Sequence, residues 1–353
     1  MGNNESFRQT QLSYVIAVTL AALIFLSLAN LFPIVILDLY GRQSNANLIQ
    51  AVFALFVKKT WFIGAIVLLT TIVLPFLEIV AILYIAMPLY FCRTHPPHFS
   101  SLQQRVIRVL PWIRPWSMIE VLFLGVIVSM AKLQGFANII PGVALWALLL
   151  LMLAVFTAFF LLKKILRFGI VQVYSRRRTR QIYKPNLNQC WAFLLAALAF
   201  YIPANYLAVM ETRSVYAYSN DTIYSGVVYL WDTGSWGLAV IIFFTSIVVP
   251  FFKILALALL LICVQFKWIR RRSEQLYLYR VVELIGRWSM LDIFVVTILA
   301  SLVQLQGLGQ IEVAGGAGAF AAVVIFTMLA AQSFDPRWLL MTHVKMRMEA
   351  HKQ

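Results

Sequence analysis

The sequence predicts an all-α polytopic membrane protein with eight transmembrane helices arranged as two parallel four-helix repeats. Three observations lead there. Apolar residues make up 62% of the 353 and charged ones 12%, too few charges for a soluble surface. Five long runs (9–37, 133–162, 185–210, 233–252 and 313–334) contain no Asp, Glu, Lys or Arg. About 20 such residues cross a hydrocarbon core as a helix. Finally, the second half of the chain repeats the first.

The charge-free runs and their shorter companions place spans near 14–37, 61–91, 116–131, 139–162, 190–210, 235–265, 289–304 and 316–333. The first is longer than the apolar core of a signal peptide and many spans follow it, so it is expected to be retained. The second span is too long for a bilayer, and Pro75 and Pro250 should kink it and its counterpart. Segments 45–56 and 221–231 are too short to span and are expected to lie at the outer surface or re-enter.

The net charge of +16 is a matter of orientation. With the N-terminus inside, inner segments hold 23 of the 29 Lys and Arg and outer segments hold five, Arg42, Lys58, Lys59, Lys132 and Arg213. That asymmetry puts both termini in the cytoplasm. Basic runs such as "SRRRTR" (175–180) then touch anionic headgroups, and nucleic acid is not the partner.

The repeat is read by sliding the chain on itself. At an offset of 175, residues 61–81 lie over 236–256 with nine of 21 positions identical. At an offset of 172, "WSMIEVLFLGVIVSMAKLQG" (116–135) lies over "WSMLDIFVVTILASLVQLQG" (288–307) with seven of 20 identical. The organisation is therefore a cytoplasmic N-terminus (1–13), a first four-helix repeat (14–165), a basic linker (166–187), a second repeat (188–335) and a cytoplasmic tail (336–353). An even number of spans per half makes the repeats parallel, related by a pseudo-twofold axis along the membrane normal.

Ionisable groups within spans are costly and often functional. Glu78 and Lys253 stand at one shared place, three residues after Pro75 and Pro250. Glu120 and Asp292 stand at another, four after Trp116 and Trp288. The opposite signs of Glu78 and Lys253 suggest a pair facing the repeat axis; one reading makes them a structural pair or solvated ends, the other puts them on a lipid or proton path. For Glu120 and Asp292, one reading is local: Trp anchors the interface, Ser117 or Ser289 caps the helix, and the acid sits in the early, dipole-positive turns. The other has these acids pair across the halves or with basic loops and shift as lipid or protons bind. Asn30 and Asn205, beside Pro33 and Pro203, are expected to satisfy backbone groups freed there.

Enzyme and metal readings find little. His95, His98, His343 and His351 lie in loops or the tail, and HExxH, GxxxxGK[ST] and GxSxG are absent. Cys92, Cys190 and Cys263 form no CxxC, so no metal site, cofactor or disulfide framework is expected.

The segments "LANLFPI" (28–34), "RPWSMIEVLFL" (114–124), "IPANYLA" (202–208), "SGVVYLW" (225–231), "VVPFFKI" (248–254) and "GRWSMLDIFVV" (286–296) together resemble the paraquat-inducible protein A family of Gram-negative inner membranes. Arg287, Trp288, Ser289 and Met290 carry the fullest match; Trp116, Ser117 and Met118 are its weaker first-half echo. The resemblance implies an inner-membrane partner of periplasmic proteins with mammalian-cell-entry (MCE) domains, passing phospholipid to or from a periplasm-spanning tube. Many members carry paired CxxC zinc ribbons ahead of each half; 1–13 and 166–189 hold no cysteine, so that module is missing. Two other functions stay open, a proton-coupled small-molecule transporter and a scaffold that anchors a periplasmic partner.

Overall fold

The computed structural model describes residues 2–39, 42–57, 61–91, 100–133, 138–174, 187–214, 218–232, 234, 236–266, 277–279, 281–282, 290, 293–295, 297–298 and 309–334. The chain divides into two compact units, Met1–Ile182 and Tyr183–Gln353. Among the described residues, seven helical segments are long and apolar enough to cross a membrane: Gln9–Leu31, Trp61–Phe91, Ser101–Met130, Val143–Leu166, Leu187–Tyr206, Ala239–Gln265 and Gly315–Ser333. The expected span at 289–304 falls mostly outside the described residues. Those described there (Met290, Ile293, Phe294, Val295, Thr297 and Ile298) are all buried.

In the first unit the helix Gly2–Leu31 packs most extensively along Val143–Tyr174; in the second, Leu187–Tyr206 does the same with Gly315–Ser333. Small residues allow the second approach: Ala197, Ala204, Ala317 and Ala321 are all buried. In lipid this close packing replaces the hydrophobic drive. The first unit's core joins Leu12 and Val15, Ile82 and Ile85, Leu110, and Ala158 and Leu162. Large side chains such as Trp61, Phe160 and Leu195 remain exposed, as lipid-facing residues must.

Two small sheets depart from the all-α expectation. Strands β1 (Val35–Leu39), β2 (Arg42–Ala46) and β3 (Asn138–Pro141) form an antiparallel sheet in the order β2-β1-β3. Strands β4 (Met210–Ser214), β5 (Tyr218–Asp221) and β6 (Gly309–Val313) form the other, in the order β5-β4-β6. The expected first span, 14–37, therefore ends early: its helix stops at Leu31. Pro33 cannot extend the helical ladder, and the β-branched run Ile34-Val35-Ile36 then favours a strand. Residues 139–141 and Met210, at the ends of other expected spans, also belong to strands. Each sheet ties together two loops that the charge count put on one face of the membrane, because paired strands cannot lie on opposite sides of a bilayer. The short helices Leu48–Val57 and Ile223–Asp232 follow directly after the hairpins.

The third span carries an unexpected prelude. Residues 101–113 form a helix begun by a reciprocal cap: the Gln103 N–H donates to Ser100 Oγ (3.2 Å) and the Ser100 N–H to Gln103 Oε1 (3.0 Å). A single 3₁₀ turn, Arg114–Trp116, leads from it into Ile119–Leu133.

The proline-bearing helices each change their hydrogen-bond pattern just before the proline. Trp61–Leu68 and Trp236–Phe243 each pass through one π turn, Leu69–Val73 and Phe244–Val248, into Leu74–Phe91 and Val249–Gln265. The two turns stand 175 residues apart, the offset of the repeat. The Leu74 N–H reaches back to Leu69 O and the Val249 N–H to Phe244 O, five residues each. That leaves Thr70 O without a helical donor, since residue 74 is engaged elsewhere and residue 75, next in line, is proline. The Met118 N–H fills the vacancy at 3.3 Å. Proline and the Trp-Ser-Met segment are thus two halves of one contact.

Pro75→Ala tests that contact. Alanine supplies an N–H at residue 75 that competes for Thr70 O, so amide exchange at Met118 should accelerate while Leu122 is little changed. Unaltered exchange at Met118 would mean that proline plays no part in the contact.

Candidate functional site: buried polar groups beside the π turns

The residues that the sequence singled out fall into three groups. Glu78 and Lys253 are fully buried, at 1% and 2% exposure, on the turns just beyond the two π segments. Glu78 belongs to one unit and Lys253 to the other. Within its own unit the Lys253 ammonium donates to Thr327 Oγ1 at 3.0 Å, and the Thr327 hydroxyl donates to Val324 O at 2.9 Å. A buried cation thereby reaches a backbone carbonyl through one hydroxyl. This is the arrangement low-dielectric surroundings require, because an unsatisfied ammonium there is costly.

Glu120 is different. It is exposed and sits in the first turn of Ile119–Leu133, where the unpaired N–H groups favour an anion. Ser117 is not the cap. Leu122 N–H bonds to Met118 O, which makes Met118 the residue at the helix boundary, with Ser117 one position outside. The Trp116 Nε1 is buried and has no hydrogen-bond partner among the described residues. Met118 and Met290 are both buried. Arg287, Trp288, Ser289 and Asp292 lie outside the described residues.

The two asparagines also depart from expectation. Asn30 Nδ2 donates to Leu26 O (2.7 Å) and Asn205 Nδ2 to Tyr201 O (2.8 Å). Both acceptors are four residues back. Pro33 lies beyond the end of its helix and frees nothing inside it, whereas Pro203 displaces the donor of Ala199, not of Tyr201. The asparagines wrap onto their own helices and do not repair a proline gap.

Several polar groups here are not evident from the sequence. Thr70 and Thr71 bond back to Ile66 O and Val67 O, at 2.8 and 2.7 Å, within the first π region. Ser246, in the second, is 1% exposed and its hydroxyl has no partner among the described residues. The Tyr201 hydroxyl donates to Ile247 O at 3.4 Å. Each lies on or against a π turn, and a Thr-Thr or Thr-Ser pair inside an apolar run, at 70–71 and 245–246, is the sequence signal the short hydroxyls leave.

The second unit also holds an apolar cleft of about 300 Å³ between the short helix Ile223–Asp232 and the start of the next one. Tyr224, Val227, Val228 and Trp231 form one wall and Ala239, Val240, Phe243 and Phe244 the other. Trp231 stacks on Trp236 at 6.1 Å, closing the turn between the two helices. The "SGVVYLW" segment is therefore a wall of this cleft.

The family description "Paraquat-inducible protein A" matches residues 12–166 and again 187–342. The chain belongs to the paraquat-inducible protein A family. Within that family and its kin, the "Intermembrane transport protein PqiA" of Escherichia coli K12 is 33% identical over 366 residues, 91% of this chain and 84% of that protein. The "Probable intermembrane transport protein" of Haemophilus influenzae is 40% identical over 154 residues, 44% of this chain and 37% of that one. The "Lipophilic envelope-spanning tunnel protein A" of Escherichia coli K12 is 27% identical over 366 residues, 95% of this chain and 84% of its own. No solved structure matches. For this member of the paraquat-inducible protein A family, the double match falls on the two units, each with its own π turn and three-stranded sheet.

Proposed function

We propose that this chain is the inner-membrane subunit of an intermembrane lipid-transport system, with both termini in the cytoplasm and an MCE-type tube as its periplasmic partner. The observation that carries the reading is the apolar cleft at Tyr224–Trp231 and Ala239–Phe244, in a family whose relatives are named for intermembrane transport and an envelope-spanning tunnel. Its walls are aromatic and aliphatic and its volume suits part of an acyl chain better than a charged solute. The charge asymmetry of the loops supports the orientation.

A second reading, proton-coupled transport of a small molecule, draws on the buried Glu78 and Lys253. Lipid extraction separates the two. The protein purified in detergent should carry phospholipid identified by mass spectrometry, and an MCE-domain protein should accompany it. Val240→Trp, which fills the cleft from an exposed wall, should lower the bound lipid several-fold with folding intact. Lipid content that is unaffected by Val240→Trp removes the cleft from the route, and purified protein free of phospholipid removes the transport reading.

A further inference from the structure

The two units build the same hairpin and pack it differently. In each, a short helix (Leu48–Val57 or Ile223–Asp232) folds back on the start of the long one (Trp61–Leu68 or Trp236–Phe243), and an offset of 175 sets the residues in register. In the second unit these walls stand apart around the apolar cleft. In the first they meet. Leu48, Ala51, Val52 and Leu55 are all 3% exposed or less. The second unit's short helix is seated more loosely: Gly226 and Val227 are half-buried, and a methyl on Gly226 would meet nothing within 4 Å.

Three positions account for the difference. Gly64 lies under the ring of Phe56, two of whose carbons stand 3.2 Å from where a Cβ would be, and the Leu55 Cβ is as near. Apolar carbons prefer separations of about 3.5–4.0 Å, so glycine is what lets the ring settle there. The counterpart of Gly64 is Ala239, whose methyl takes that space and is buried with Leu230 and Ile242. The counterpart of Phe56 is Trp231, which stacks on Trp236 with ring centroids 6.1 Å apart and planes at 24°. Gly237 brings no ring of its own to compete for Trp236. In the first unit Phe62 holds that place, and Trp61 meets Phe62 edge-on at 6.1 Å.

Trp231 held on Trp236 leaves the floor at Ala239 and Val240 uncovered. Tyr224, Val228 and Trp231 are exposed, so the cleft opens outward. Phe56 laid on Gly64 covers the equivalent floor with a side chain of the protein itself. A ring and an acyl chain are both apolar and cannot fill the same space, so the first hairpin is closed to the ligand that the second admits.

We propose that these residues decide which repeat admits an acyl chain: Phe56 over Gly64 closes the first unit, while the Ala239 methyl and the Trp231–Trp236 stack hold the second open. This rests on the reading of the cleft as an acyl-chain site.

The test is photolabelling of the full chain in detergent micelles with a phosphatidylethanolamine that carries a diazirine in one acyl chain. Labelled residues are located by mass spectrometry. Wild-type protein should be labelled within 224–244 several-fold more than within the first-unit segments 48–56 and 61–69. Phe56→Ala removes the ring and should raise labelling of the first-unit segments several-fold. Gly64→Ala should do the same by pushing the ring outward, since Phe56 is already 37% exposed and has room to move. Conversely, Ala239→Gly with Trp236→Leu frees Trp231 to turn over residue 239 and should lower labelling within 224–244 several-fold at an unchanged Tm. No labelling of 224–244 in the wild type would remove the acyl-chain reading itself, and the proposal with it. Labelling there, with the first-unit segments unchanged in both Phe56→Ala and Gly64→Ala, would overturn the proposal and leave that reading intact. Equal labelling of the two units in the wild type, or full labelling of 224–244 in the Ala239→Gly, Trp236→Leu variant, would do likewise.

Discussion

Gly142→Ala and Gly316→Ala should each destabilise the protein by about 3 kcal/mol. The cause is a backbone crossing used twice. In the first unit the Gly142 N–H donates to Ile34 O (2.9 Å) and the Ala144 N–H to Pro33 O (3.3 Å). In the second the Ala314 N–H donates to Val209 O (2.9 Å) and the Gly316 N–H to Ala208 O (2.8 Å). These are the same two bonds at the repeat offsets. They pin the start of the last helix onto the residues that lead into the central strand. Glycine occupies the first donor position in one unit and the second in the other. A Cβ on Gly142 would collide with Pro33 O, and one on Gly316 would stand 2.5 Å from Ala208 O and 2.6 Å from Leu207 O. Backbone atoms cannot swing aside as a side chain can, so the sheet or the helix must shift.

Gly318→Ala is the control. Nothing lies within 4 Å of where its methyl would stand, and alanine in a helix interior gains about 1 kcal/mol over glycine. Detergent melting temperatures should therefore fall for Gly142→Ala and Gly316→Ala and rise or hold for Gly318→Ala. If all three behave alike, the crossing is looser than described.

Much of this architecture is written plainly in the residues. Charge-free runs mark the spans because a hydrocarbon core tolerates few charges, and that constraint overrides local propensity. The offset of 175 also places the two π turns on equivalent residues. The strands escape because each is only four or five residues long. Val35, Ile36 and Ile139 are apolar at the end of an apolar run, and hydropathy alone reads them as more span. The helix at 101–113 has a visible Ser-x-x-Gln cap, but its mixture of Arg and aliphatic residues resembles a solvated loop until Leu110 is seen to be buried. For the site, the depth of Glu78 and Lys253 follows from their distance to the next base. Thr327 does not, because a threonine in a helix ordinarily bonds to its own backbone. Thr327 does that too, and only the packing of Val249–Gln265 beside Gly315–Ser333 brings a cation to its oxygen.

Lys253 and Thr327 should therefore show opposite effects on stability when changed singly, and the difference should vanish when they are changed together. Thr327→Val keeps the shape of the side chain but removes the oxygen that receives the ammonium. A hydrogen bond to a charged group is worth about 1.5–3 kcal/mol, so a loss of that order is expected. Lys253→Met removes the charge and keeps most of the volume. Methionine carries no charge to desolvate, so the melting temperature should hold or rise. In the Lys253→Met background, Thr327→Val should then cost little, since the hydroxyl no longer serves an ion there. That non-additivity separates a coupled pair from two independent core changes. The same variants bear on why a costly cation persists here. A stable Lys253→Met protein that no longer supports envelope integrity would mean that the charge is kept for activity and not for the fold. Additive losses, with Lys253→Met as damaging as an ordinary cavity, would instead make Lys253 a structural residue and remove it from the candidate site.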